Sequence, residues 1–217
     1  MVEIVKNYDV EIGMIKLFET TTENIKYESK DGVKIVSSYD CITNLLTDLN
    51  NYVQVCNKLY KKELLEKLKF PAGIIYEDFY IVVDRYCQIE QLGYSEKACM
   101  FYRIRNLSTT HSGFSAKSLH YIDALEHVIG KLFEISRKDV LFYFANKLLN
   151  SYMEYSLKLS NSDITDKDYY INKYRINSKK LFKSIPFYKW KLHLIKRFLI
   201  FIFSFKLYKF YIKFKGK

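Results

Sequence analysis

Two neighbouring carboxylates, Glu77 and Asp78, stand where an apolar helical repeat begins, with Phe79, Val82, Val83, Tyr86 and Cys87 following at three- and four-residue intervals. A carboxylate held beside a hydroxyl can take its proton as a new bond forms to the oxygen, which is general-base chemistry. The pair also has a plainer reading, because acidic side chains collect in the first turn of helices, where unpaired amides favour negative charge. Further on, Arg103 and Arg105 are two residues apart and on a strand would share one face. Two guanidinium groups there suit either an oxyanion ligand or a solvated surface.

These residues need elements to position them. Ile4 and Val5, the run Val10 to Phe18 and the run Val33 to Val36 carry strand signals, and Lys30-Asp31-Gly32 supplies a turn, which together predict a hairpin or meander. Ile42, Leu45, Leu46 and Leu49 recur at helical spacing, and Lys61 to Leu68 reads as a short helix stopped by Phe70-Pro71-Ala72-Gly73. The carboxylates open the next helix, Gly93 breaks its pattern, and Ala98 to Arg105 alternates as a strand. Beyond Ser115 the chain reads as helical. One stripe runs through Leu119, Ile122, Leu125, Val128, Ile129, Leu132 and Phe133, a second from Val140 to Leu159, and a third from Tyr169 to Phe182 after a polar loop. The class is α/β, and the organisation expected is a domain at 1–115, a helical extension at 116–183 and a basic amphipathic tail at 184–217.

The formal charge of +11 invites a nucleic-acid reading until its location is considered. Nine Lys or Arg and no acidic residue lie between Pro186 and Lys217, leaving 26 basic against 24 acidic residues elsewhere. A basic patch confined to a segment also rich in Phe, Leu and Ile fits an anionic membrane surface better than a phosphate backbone, so no nucleic acid is expected as a partner. A packed C-terminal helix is the competing reading. The uncharged stretch Phe198 to Phe205 is eight residues, too short to span a bilayer. Cys41, Cys56, Cys87 and Cys99 are 15, 31 and 12 positions apart, without metal-ligand spacing, and read as buried thiols in a reducing cytoplasm. The first residues, MVEIVKNYDVEIG, lack a basic then apolar leader.

Four short motifs follow one another: Asn57-Lys58-Leu59-Tyr60; Phe70-Pro71 with Gly73; Tyr76-Glu77-Asp78; and Phe101-Tyr102-Arg103-Ile104-Arg105 followed by Ser108. In that order they resemble the second half of family 2 glycosyltransferases that build bacterial surface polysaccharides, over roughly residues 2 to 134. The resemblance implies the acceptor-side half of an inverting GT-A enzyme. Asp78 then matches the general base, with Glu77 beside it, and Asn57, Lys58, Tyr102, Arg103, Arg105 and Ser108 match positions at the substrates. His111 is a weak candidate metal ligand, since some GT-A enzymes use a late histidine there; a surface role is the alternative.

The resemblance further implies a nucleotide-sugar donor, a divalent metal (Mg or Mn), and a lipid-linked saccharide acceptor at the inner face of the cell membrane. The family's nucleotide pocket and metal-binding Asp-x-Asp have no counterpart in these 217 residues. Neither donor nor metal is therefore expected to bind this chain tightly alone, and a separate chain could supply the missing half. Cys56 replaces the tryptophan usual before the asparagine, and Leu107 the glycine usual before the serine. A non-catalytic membrane-associated scaffold or assembly protein derived from such an enzyme is the alternative function.

Overall fold

The computed structural model describes residues 1–21, 26–66, 70–104 and 113–215, and the fold is mixed α/β. It divides into two compact units, Met1–Gly113 and Phe114–Lys217.

In the first unit α1 (Val2–Asn7) precedes β1 (Ile12–Thr20), β2 (Val33–Ser37), α2 (Ser38–Asn44), α3 (Leu49–Val53), β3 (Lys58–Tyr60), α4 (Glu77–Tyr86) and β4 (Gln91–Arg103). The sheet order among the described strands is β2-β4-β1-β3. β1 runs parallel to β4 and antiparallel to β3, while β2 is antiparallel to β4. The hairpin expected of β1 and β2 is therefore absent: β4 lies between them. Burial explains the choice, because Ile12, Met14 and Leu17 are all in the core and suit a central strand covered on both faces.

Ile4 and Val5, which have strand propensity, belong to α1. The reason lies beneath them. Gly13 and Gly93 are direct partners across β1 and β4, and a Cβ on Gly93 would come within 2.3 Å of Ile4 Cγ2. A Cβ on Gly13 would meet Met1 O at 2.9 Å and Val5 Cγ2 at 3.0 Å. The glycine pair thus forms a floor that lets α1 approach the sheet, and Gly93 sits inside a strand rather than ending an element. Gly93→Ala is expected to destabilise the first unit by about 1–3 kcal/mol, since Ile4 is buried and its branched methyl has nowhere to swing. Chemical denaturation checks this, and Ile4→Ala in the Gly93→Ala background should recover part of the loss.

Other expectations shift in detail. Among the described residues only a 3₁₀ turn, Lys62–Leu64, is found in the Lys61–Leu68 stretch, of which residues 67 and 68 lie outside the described part. α4 begins at Glu77 and buries Phe79, Val82, Val83 and Tyr86 as expected. Among the cysteines only Cys41 is fully buried, and Cys56 is exposed.

The second unit is helical: α5 (His120–Glu134), α6 (Lys138–Ser160), α7 (Lys167–Ser184), α8 (Leu192–Phe203) and α9 (Phe205–Lys215). The expected stripe of α5 is buried except for Phe133, which is exposed. A shared carboxylate joins three helices, as Glu126 Oε1 accepts from the Tyr152 hydroxyl at 2.5 Å and from Asn177 Nδ2 at 3.0 Å.

The described part of the expected tail falls within this unit and forms two helices, α8 and α9, rather than one. Trp190, Leu194, Ile195, Phe198, Phe201 and Tyr208 are buried, and Phe182 stacks on both Trp190 and Phe198. Polar bonds tie the same segment to α6 and α7. Asn146 Nδ2 donates to Lys189 O and its Oδ1 accepts from Lys191 N, while Arg175 donates to the carbonyls of Phe201 and Ile202 at the end of α8. Arg197, one of the nine basic residues of this segment, turns inward to Asn150 Oδ1 at 2.7 Å and Tyr208 Oη at 2.9 Å. No helix among the described residues is long and apolar enough to cross a membrane.

Candidate functional site

Two segments distant in sequence meet at Asp78. Its Oδ2 accepts a hydrogen bond from Val55 N at 3.3 Å, which fastens the first turn of α4 to the turn leading into β3. The backbone that makes this possible is unusual just before the helix. Gly73 has φ +77°, and Tyr76, a non-glycine residue, has φ +67° as it hands the chain into α4.

The opposing turn is braced from within. Asn57 is fully buried; its Nδ2 donates to Ile15 O at 2.9 Å and Asn51 O at 3.1 Å, and its carbonyl accepts from Ile15 N. Lys58 is also buried. Its Nζ donates to Asn51 O at 2.8 Å, Gln54 O at 2.5 Å and Asn57 Oδ1 at 2.9 Å. Asn51 completes the brace, with Oδ1 accepting from Leu17 N at 2.7 Å. Asn57 and Lys58, expected as substrate contacts, have these polar atoms bonded to the protein's own backbone and to each other. They shape the turn that faces Asp78.

The electrostatics follow from burial. Asp78 is half-buried, and loss of water raises its pKa, with Glu77 adding to the rise while the Val55 amide and Lys58 oppose it. Burial likewise lowers Lys58 from 10.5 to about 7, against the pull of Cys56 and Asp78. Partial desolvation and then Asp78 push the Cys56 thiol up, away from a reactive thiolate, although the residue as a whole is exposed. Tyr60 is raised by burial and then by Asp78, and its buried hydroxyl has no hydrogen-bond partner among the described residues. The ensemble is a carboxylate of raised proton affinity at a hydrogen-bonded turn, a group able to accept a proton.

The remaining candidates are apart from this group. Tyr102 and Arg103 lie at the end of β4, opposite Glu19 and Thr20, whereas Lys58 pairs with Met14, six residues back along β1. At a rise of ~3.3 Å per residue that is about 20 Å of strand. Arg105, Ser108 and His111 lie outside the described residues. Among the described residues no group of three or more His, Cys, Asp or Glu is placed to hold a metal ion.

Sequence reading missed Asn51; Cys56, Tyr60 and Tyr76 stand in or beside the quoted motifs but were given no part in the site. The signal for Asn51 was slight, an asparagine pair interrupting an apolar segment, and nothing in the spacing marks Tyr76 as left-handed.

No protein-family model matches the chain, and no curated protein matches it.

Proposed function

We propose that this chain supplies the acceptor side of an inverting, nucleotide-sugar-dependent glycosyltransferase of the family 2, GT-A type, acting in bacterial capsular or exopolysaccharide synthesis. Asp78 is the general base. It takes the proton of the acceptor hydroxyl as the oxygen bonds to the anomeric carbon; the bond from that carbon to the donor phosphate breaks, and the nucleoside diphosphate leaves. Glu77 raises the proton affinity of Asp78, and Asn57 and Lys58 hold the turn against which it is aimed.

The observation that carries the reading is the bond from Val55 N to Asp78, which joins the turn just before the Asn57–Tyr60 motif to the Tyr76–Asp78 motif around a carboxylate of raised pKa. Donor and divalent metal belong to a nucleotide-binding half outside these 217 residues, and no step assigned to Asp78 passes through the metal. The acceptor is a lipid-linked saccharide at the cytoplasmic face of the cell membrane.

The test is sugar transfer from radiolabelled UDP- and GDP-sugars to a bacterial lipid-linked saccharide extract. The purified chain alone should give no turnover, because it offers no glycine-rich phosphate loop. Mixed with a chain carrying the nucleotide-binding half, it should transfer sugar. Robust donor turnover by the chain alone, or equal transfer by the nucleotide-binding chain without it, contradicts the assignment; the second outcome favours a scaffold.

A further inference from the structure

The second unit ends in two helices whose apolar residues divide into two sets. On α8 the buried set is Leu194, Ile195, Phe198 and Phe201, which complete the helical core. Leu192, Lys196, Leu199 and Phe203 recur four, three and four residues apart, so they line the other side of the helix, and all are exposed. Phe203 is 82% exposed. α9 repeats the arrangement. Tyr208 is buried, Leu207, Phe210 and Phe214 form an exposed apolar stripe, and Lys206, Lys209 and Lys213 form a basic stripe beside it. The Phe210 and Phe214 rings are 4.3 Å apart, one continuous apolar patch.

Exposed apolar stripes on a folded unit need an occupant. Charge selects it. No acidic residue occurs from Pro186 onward, and four exposed lysines, Lys196, Lys206, Lys209 and Lys213, stand in or beside the stripes. Lysine stems can lie along an apolar surface while their ammonium groups reach an anionic plane, which is the arrangement of an interfacial helix.

We propose that α8 and α9 are a preformed docking face for a membrane surface containing anionic lipid: the exposed stripes enter the headgroup region, the lysines meet lipid phosphates, and the opposite sides stay in the protein core. The face is part of a folded unit, so docking adds no helix and spans nothing. It rests on these two helices alone and stands apart from the role of Asp78.

The experiment uses the full chain with phosphatidylcholine vesicles, with and without phosphatidylglycerol, read by co-sedimentation and circular dichroism. Binding should require phosphatidylglycerol, fall about tenfold or more in high salt, and leave helix content unchanged. Leu199→Ser with Phe203→Ser, and separately Phe210→Ser with Phe214→Ser, should each weaken binding about tenfold at an unchanged melting temperature, since these side chains are outside the core. Lys206→Gln, Lys209→Gln and Lys213→Gln together should remove the lipid-charge preference. Equal binding to neutral vesicles, no binding at all, apolar variants that bind as well as the parent, or a gain of helix on binding would each overturn the proposal. So would self-association, abolished by the same serine variants, in place of vesicle binding.

Discussion

Asp78→Asn is expected to cut sugar transfer by roughly 10²–10⁴-fold in the reconstituted enzyme, with the melting temperature unchanged or slightly higher. The two halves of that expectation come from the same burial. The asparagine keeps an oxygen where Asp78 Oδ2 accepts from Val55 N, so the turn stays fastened to α4. What disappears is the basic electron pair. The folded protein holds the Asp78 pKa above its ordinary value, chiefly by desolvation. A carboxyl whose pKa is raised on folding stabilises the fold at low pH, and that contribution is lost as pH rises through the folded pKa. At neutral pH the ionised group is thus a cost that a neutral amide removes. A structural helix-end charge would behave the opposite way, losing stability on neutralisation. Transfer rates and thermal melts on the same variant separate the cases, and the acid limb of kcat/KM in the parent should lie above the pKa of an ordinary aspartate. An unchanged rate would reduce Asp78 to a helix-end residue.

Lys58→Met should lower the stability of the first unit by about 1–3 kcal/mol and largely abolish transfer, although Lys58 touches no substrate in this account. Two effects compete. Methionine relieves the burial of an ammonium group, but it leaves Gln54 O and Asn57 Oδ1 without their donor inside the turn. Asn51 O retains Asn57 Nδ2 and is less affected. The orphaned acceptors outweigh the relief, because they hold the backbone that presents Val55 N to Asp78. The pH dependence is a second signature. Folding lowers Lys58 to about 7 from 10.5, so above pH 7 the unfolded chain binds more protons and stability rises with pH. The window closes near pH 9, where Cys41, buried and raised, contributes with the opposite sign. Urea midpoints should climb from about pH 7 to 8 in the parent, and Lys58→Met should lack that climb and only decline toward pH 9 as the raised thiols Cys41, Cys56 and Cys99 take effect.

The helices were legible where one face is continuously apolar, as in α4, α5 and α6, since the 3.6-residue repeat survives any tertiary arrangement. Strand partnership was not. β1 and β2 look like a hairpin along the chain, but β4 occupies the place between them, and no local signal announces a strand that arrives from some sixty residues later. Ile4 and Val5 show the same limit: their strand propensity is weaker than the packing offered by the Gly13–Gly93 floor. At the site the carboxylates stood out by residue type, whereas the support of Asn51 and the left-handed Tyr76 depends on backbone geometry that spacing cannot encode. The C-terminal segment was legible as basic and apolar. Its division into core and exposed stripes was not, because Arg197 and Lys196 look alike in sequence and turn opposite ways in the fold.

The most direct measurement of the acceptor-side claim is amide shift mapping of the 217-residue chain titrated with oligosaccharides released from bacterial surface polysaccharide, and separately with UDP. The account predicts that the saccharides shift the amides of Val55–Lys58 and Tyr76–Phe79, and that UDP moves neither group. UDP perturbing those amides, or saccharides shifting others while leaving both segments still, would contradict it.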